Sequence, residues 1–344
     1  MNLNEIISIL KPGFSIRRPV LKTKLKQSGL KNQDFSNRDL RGIDLENIDC
    51  SGSNFSRCNL QGANLSYGTF NNCNFSNTIM DGIKINKDGK YGDNNTTQFN
   101  NAIFNTVIMT NMYINNVSFR SVDFNKCDMR KTRIDDSVIY GSKFVNTILD
   151  TSNWIGVDFT ECDLSNQIIK HCSFESCNFQ KCKLIGTSFS PNVFFYQIGI
   201  YDTNASKSNF SGMSSENWEI KNSKFDDCDM TNIEIHSGNP SSFDSTSLRN
   251  VDFSGSRIND CDFFRCDMTN TKFVNADVTE SGFGFKSKTL GMKVKNIYVS
   301  DDDESEKPSY DFKYFKHYVK PSGVYDSEYR FEPWKDVKHL IIKK

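Results

Sequence analysis

Eleven cysteines and four histidines are the side chains of this 344-residue chain best suited to nucleophilic or metal chemistry. A Cys-His nucleophile needs both side chains on the same side of the backbone. His171 directly precedes Cys172, and neighbouring side chains in extended backbone point in opposite directions. Cys172, Cys177 and Cys182 are spaced by five, and the sequence has no C-x-x-C pair. We therefore predict neither a catalytic cysteine nor a zinc site.

Other catalytic signatures are missing from the sequence. It has no Gly-rich phosphate loop, no G-x-S-x-G turn and no H-E-x-x-H motif. Acid pairs such as those at 135–136 and 226–227 are typical of a solvated face. The sequence therefore predicts a protein that is not an enzyme, with no cofactor, no metal and no small-molecule substrate.

The backbone that must position these side chains follows a period of five. A large apolar residue recurs at every fifth position from Phe99 to Phe189, and a second series of smaller residues lies two positions before it. A helix would give steps of three and four, and a flat strand steps of two. Residues two apart in extended backbone point the same way, so both series are predicted to point inward. We call them the large series and the small series.

Most of the cysteines follow this period. Ten lie in the small series, and Cys50 lies in the large series. Because a free cysteine behaves as a small buried hydrophobe, we interpret all eleven as reduced structural residues, which indicates a reducing compartment. Disulfides between stacked coils are the competing interpretation, and the odd number of cysteines argues against them.

The period also predicts where the coil begins, is interrupted and ends. It covers residues 26–285, with insertions near 86–98, 190–194 and 236–242. Residues 1–25 are predicted to form an N-terminal arm, whose helix-like start covers the open edge of the first coil as a cap. Residues 286–344 do not follow the period and are predicted to form an α+β or irregular tail.

The repeat units resemble the pentapeptide-repeat family. The unit of that family is a small residue, Asp or Asn, Leu or Phe, and two polar residues. Copies in this chain include ANLSY at 63–67, VDFTE at 157–161 and VDFSG at 251–255, and CDMTN begins at both Cys228 and Cys266. The resemblance implies an all-β fold, a right-handed quadrilateral parallel β-helix solenoid with four units to the coil. Residues twenty apart would then stack on one another.

The large series would form the core of such a solenoid. Replacing a central member such as Phe124 by Ala is expected to cost about 3–5 kcal/mol of stability. The predicted structural core contains Phe104, Phe119, Phe124, Phe144, Phe159, Phe174, Phe179, Phe253 and Phe263.

The tail is rich in aromatic residues after an acidic run at 301–306. This composition is too apolar for a segment that is simply disordered. Aromatic clusters are typical of binding hot spots, so the tail either covers the last coil as a cap or docks a partner protein. The candidate docking residues are Tyr310, Tyr314, Phe315, Tyr318 and Trp334.

Charge is balanced over the whole chain, with 42 basic and 42 acidic residues, but residues 1–30 carry six Lys or Arg against one acid. This basic start could make peripheral contact with an acidic membrane surface or nucleic acid, and a solvated arm is the simpler interpretation. No apolar run approaches the ~20 residues that span a bilayer, and residues 1–10 do not form a secretory signal. We expect a protein of the bacterial cytoplasm, or of the host cell cytosol if it is secreted.

The resemblance implies a non-enzymatic protein-binding scaffold. Several secreted bacterial effectors that act in virulence carry a similar rod, and some join it to a HECT-like ubiquitin ligase. No cysteine follows Cys266 here, so the ligase activity is not carried over. The alternative is a DNA mimic that binds a type II topoisomerase, as in the quinolone-resistance branch of the family. The expected partner is therefore a host protein or a topoisomerase.

Overall fold

The computed structural model describes residues 3–10, 23, 26–27, 29–85, 96–190, 192–236, 241–278, 281–283, 293–295, 297–299 and 341–343. The chain divides into two compact units, residues 1–167 and 168–344. The first unit contains α1 (Leu3–Leu10), β1 (Thr97–Gln98), β2 (Tyr113–Asn115), β3 (Val117–Ser118), β4 (Arg133–Asp135) and β5 (Asn153–Ile155).

The second unit contains β6 (Ile168–Ile169), β7 (Ser173–Glu175), β8 (Asn178–Gln180), β9 (Ser188–Phe189), β10 (Phe194–Tyr201), β11 (Ser214–Lys221), β12 (Glu234–His236), β13 (Ser241–Asp244), β14 (Arg257–Ile258), β15 (Cys261–Phe264), β16 (Lys272–Val274), β17 (Gly282–Phe283), β18 (Lys293–Lys295), β19 (Ile297–Val299) and β20 (Ile341–Lys343).

Parallel pairing between residues twenty apart builds the ladder of each unit. Asp34 pairs with Asn54, and Asn54 with Asn74. In the first unit β4 pairs with β2 and β5 in this same register. In the second unit β10 pairs with β11, which places Phe195 beside Ser215. Because a large residue recurs every fifth position, four five-residue faces complete one coil, and the fold is the all-β parallel β-solenoid that was predicted.

Backbone hydrogen bonds connect each coil to both of its neighbours. The N–H of Phe35 donates to the carbonyl of Asn54 at 2.8 Å, and the N–H of Asn54 donates to the carbonyl of Gln33 at 2.9 Å. At the corners that the structure describes, the second residue after a member of the large series has a positive φ, for example 55° at Asn32. Gly adopts this conformation freely and Asn more readily than other residues, which explains why both recur there.

Insertions lengthen the step between paired residues where the sequence period shifts. The pairs that span them are Ile85–Ile114, Phe174–Phe195 and Ile220–Phe243, which exceed the usual twenty residues by nine, one and three. The ladder resumes slightly earlier than predicted, because Thr97, Phe194 and Ser241 already belong to strands.

The large series forms the core of both units. All nine phenylalanines that were predicted there are buried, with at most 1% of their surface exposed. Several rings one coil apart stack face to face, as in Phe99–Phe119 at 5.2 Å and Phe243–Phe263 at 5.0 Å. Rings on adjacent faces meet edge to face, so the aromatic contacts continue around each coil as well as between coils.

Helix α1 covers part of the first coil. Leu10 is fully buried, and its carbonyl accepts a hydrogen bond of 2.8 Å from the N–H of Asp44. The corresponding donor one coil later, the N–H of Asn64, bonds instead to the carbonyl of Ile43 in the preceding coil. The helix therefore supplies an acceptor that the ladder provides elsewhere.

Candidate interaction faces

The residues immediately before and after each large-series residue point outward. An Asp or Asn in the position before accepts a hydrogen bond from the N–H two residues later, as Asp34 does from Ser36 and Asp252 does from Ser254, both at 3.0 Å. This bond fixes the turn that follows, and it explains the Asp or Asn of the repeat unit. An apolar residue in that position loses the bond and remains exposed, as Phe194 does.

The small series is engaged in bonds between coils. The thiol of Cys58 donates to the carbonyl of Phe35 at 2.9 Å, and the hydroxyl of Ser142 donates to the carbonyl of Phe119 at 2.8 Å. Cys, Ser and Thr can replace one another at this position because each offers one donor in the same direction. All eleven cysteines are described, buried and free of disulfides.

These thiols are poorly suited to chemistry. Burial raises the pKa of Cys73, Cys127, Cys162, Cys228 and Cys266 to about 12. The reactive thiolate is therefore suppressed at neutral pH. His171 is exposed and Cys172 is buried, so the two side chains lie on opposite sides of the backbone. Among the described residues, no group of His, Cys, Asp and Glu side chains is placed to hold a metal ion.

Ion pairs join successive coils on the surface of the second unit. The carboxylate of Asp226, 4% exposed, accepts from Arg249 Nη2 at 2.5 Å. Burial alone would raise the pKa of Asp226, but the hydrogen bonds from Arg249 and Ser247 outweigh it and hold this pKa below its usual value. Other pairs of this kind are Asp244–Arg265, Asp252–Lys272 and Glu234–Arg257.

Tyrosine and arginine lie together on two faces of the first unit. The guanidinium of Arg120 is 5.6 Å from the ring centre of Tyr140, whose hydroxyl donates to Glu161. The guanidinium of Arg133 is 5.8 Å from the ring centre of Tyr113. Such cation–π contacts hold long side chains in one conformation at the surface, which lowers the entropy cost of binding a partner.

Strand β10 of the second unit carries three outward aromatic residues. The rings of Phe194 and Tyr196 stack with centres 6.4 Å apart, and the hydroxyl of Tyr201 donates to Glu219 at 2.6 Å. Burial and this carboxylate raise the pKa of Tyr201 to about 12. The outward residues of β7, the first half of β10 and the first half of β11 form one surface, named here the aromatic–acidic face: Ser173, Glu175, Phe194, Tyr196, Ser214 and Glu216.

The sequence analysis missed this face, although Phe194 and Tyr196 flank a member of the large series and so must point outward. The docking residues predicted from the tail, Tyr310, Tyr314, Phe315, Tyr318 and Trp334, lie outside the described residues. Near the tail, β18 pairs with β16, and β20 pairs in parallel with β19. None of the helices in the described part of the chain is long and apolar enough to cross a membrane.

Comparison with known proteins identifies the repeat. The family model of pentapeptide repeats matches eight copies, at residues 32–82, 158–190 and 242–281. No curated protein is similar in sequence. Among solved structures, HetL, a pentapeptide repeat protein involved in heterocyst differentiation regulation in Nostoc sp. strain PCC 7120, is 13% identical over 86% of this chain and 99% of its own, with a TM-score of 0.21.

Two further solved structures are similar. QnrB1, a plasmid-mediated fluoroquinolone resistance protein, is 15% identical over 51% of this chain and 83% of its own, with a TM-score of 0.22. Rfr23, a pentapeptide repeat protein from the cyanobacterium Cyanothece 51142, is 11% identical over 41% of this chain and 95% of its own, with a TM-score of 0.16. Likenesses at this level say nothing about a shared partner. The eight matched copies agree with the twenty-residue register of the ladder, so residues 32–82, 158–190 and 242–281 of this chain consist of pentapeptide repeats.

Proposed function

We propose that the protein is a non-enzymatic scaffold that binds another protein through the outward faces of its solenoid. The main support is the difference between inward and outward positions. Inward thiols and hydroxyls such as those of Cys58 and Ser142 are engaged by neighbouring coils, whereas outward rows display aromatic residues such as Phe194, 39% exposed, that the core does not use. Tyrosine and arginine, which recur on these rows, are typical of binding hot spots.

A photo-crosslinking scan of the full-length protein tests this proposal. Benzoylphenylalanine at Phe194, Tyr196 or Tyr140 is expected to form adducts with one partner protein of a single mass. The same group at Lys131, an exposed corner residue of the first unit, is the control. Adducts that form equally from all four positions, or from none, would contradict a specific binding face.

A secreted effector or adaptor that binds a host protein is the finer form of this proposal. It is supported by the resemblance to bacterial effectors that carry a similar rod, and it expects residues 1–25 to contain a delivery signal. A reporter fused after residue 30 is then exported by the needle secretion system of a pathogen. Retention of the reporter would restrict the scaffold to a partner in the bacterium.

Topoisomerase binding by DNA mimicry is the alternative, and it needs a dense row of unneutralised carboxylates. On the second unit Asp226, Asp244 and Asp252 each pair with a cation, which favours the more general scaffold. A supercoiling assay with gyrase decides between them. Inhibition of gyrase, or its protection from a quinolone, would favour the mimic.

A further inference from the structure

The six residues of the aromatic–acidic face include an exposed ring, Phe194, a half-buried ring, Tyr196, and two carboxylates, but no cation. Phe194 and Tyr196 stack with an angle of 16° between their planes. Phe194 replaces the Asp or Asn of the repeat unit, so the turn after it lacks the usual side-chain hydrogen bond. The face of an aromatic ring carries negative potential and attracts cations.

The two carboxylates of this face stand on either side of Tyr196. In the ladder Tyr196 lies opposite Glu175 of β7 and opposite Glu216 of β11. Neighbouring strands are ~4.8 Å apart, so one cation above the tyrosine ring can reach both carboxylates. Glu175 and Glu216 are half-buried, which strengthens their interaction with a charge brought against them.

Neither carboxylate is neutralised within the part of the chain that the structure describes. Glu175 and Glu216 form no ion pair there, whereas Glu234 pairs with Arg257 and Asp244 with Arg265. The next residue in the row after Glu216 is His236, whose Nε2 atom is 3.4 Å from Glu234. Among the described residues of the second unit, cations therefore pair with other carboxylates and none pairs with these two.

We propose that the aromatic–acidic face binds an arginine side chain of the partner protein. The guanidinium plane lies on the rings of Phe194 and Tyr196, and its N–H groups donate to Glu175 and Glu216. Arginine suits this site better than lysine, because a flat and weakly hydrated guanidinium stacks on an aromatic ring and donates to two carboxylates at once. This inference rests on the proposed scaffold function and specifies the chemistry of the partner.

A peptide titration of the full-length protein tests the site. The probe is a fluorescent nonapeptide with one central arginine among Gly and Ser, and its control has citrulline, which keeps the shape of arginine without its charge. The arginine peptide is expected to bind about tenfold more tightly than the citrulline peptide. Tyr196→Ala, and separately Glu175→Gln with Glu216→Gln, should each remove this difference. Equal binding of the two peptides to the unchanged protein would overturn the proposal.

Paired carboxylates provide matched control variants. Glu234→Gln and Asp244→Asn remove the same charges from carboxylates that already pair with arginine, so they should leave the affinity for the arginine peptide within about twofold. If these controls weaken peptide binding as much as the Glu175 and Glu216 variants do, the peptide is held by the overall negative charge of the surface, and the proposed site is overturned. Tyr196→Phe keeps the ring and should retain binding, and circular dichroism confirms that each variant is folded.

A crosslinking experiment distinguishes failure of the arginine site from failure of the scaffold function. Glu175→Lys with Glu216→Lys should abolish the adducts formed from benzoylphenylalanine at Tyr140 if the partner protein engages this face. Adducts that persist in this variant would retain the scaffold function and overturn the arginine site. Specific binding of the arginine peptide without any protein adduct would retain the site and contradict the scaffold function.

Discussion

The side-chain Oδ1 atom of Asn32 lies over Gly52, one coil further along the first unit, where a Cβ atom would overlap it. Gly52 also has a φ of 72°, a conformation that other residues adopt with strain. Asn232 stands over Gly255 in the second unit in the same way. Glycine is therefore required at these corners for two separate reasons, its backbone conformation and the side chain of the preceding coil.

Replacing Gly52 by Ala should destabilise the protein more than replacing Gly62 by Ala. Gly62 has a φ of 68° and nothing within 4 Å of its Cβ position. Gly62→Ala should therefore lower the free energy of unfolding only through its strained backbone conformation, by ~1–2 kcal/mol. Gly52→Ala should lose about 1 kcal/mol more, because the carboxamide of Asn32 must move. Urea unfolding measures both. In an Asn32→Ala background the two variants should become equal, and a difference that persists would contradict the contact.

Phe124→Ala should reduce the free energy of unfolding by ~3–5 kcal/mol. The ring of Phe124 is fully buried and lies 5.5 Å from Phe104 and 5.0 Å from Phe144, centre to centre, so truncation opens a cavity between three coils. Urea unfolding of the full-length protein gives the loss, with Phe124→Leu as a control that keeps most of the volume. A loss below about 1 kcal/mol for the alanine variant would contradict a closely packed interior.

The cysteines should be inert to thiol reagents in the native protein. A pKa of about 12, as for Cys127 and Cys162, leaves roughly one thiolate in ten thousand at pH 8. Colorimetric titration at this pH is expected to count fewer than one fast-reacting thiol in buffer and all eleven in urea. A thiol that reacts quickly in buffer would show that at least one coil opens readily.

Asp226 should make stability depend on acid pH. Its pKa is lower in the folded protein than the unfolded value of about 3.9, so its contribution is fully present above that pH. The contribution is lost as the pH falls through the folded pKa. Asp226→Asn should therefore lower stability at pH 7 by about 1–3 kcal/mol and flatten the loss in acid.

The control for this measurement is the neighbouring Asp227→Asn, which removes an equal charge but leaves both hydrogen bonds from Arg249 to Asp226 in place. It should change stability much less at pH 7. Equal losses for the two variants would mean that the charge of the surface matters, and not the pair between Asp226 and Arg249.

The five-residue period was sufficient to predict the interior. It separates inward from outward positions because the backbone repeats the same corner, and its phase shifts gave the three insertions that appear as longer steps in the ladder. The count of four units to the coil came from the resemblance to the family, and the pairing of residues twenty apart confirms it. The period could also have shown that Phe194 and Tyr196 point outward.

Contacts between outward residues were much harder to predict. Glu175 and Glu216 flank Tyr196 only because one step of the ladder is 21 residues long and the next is 20. Asp226 reaches Arg249 across a step of 23 residues instead of 20. A single residue of error in either insertion would bring different side chains together, so these neighbours become certain only with the coordinates. The docking role of the tail aromatic residues remains a prediction.

In a four-sided coil, insertions and deletions affect the interior and the surface differently. Losing one five-residue unit keeps every inward side chain inward, because the next unit takes the same conformation. Every outward side chain after the deletion, however, rotates by a quarter turn to the adjacent side. Only changes of a full coil leave the lateral surface aligned. Such a protein can vary its recognition rows by small changes of length while its hydrophobic packing stays the same.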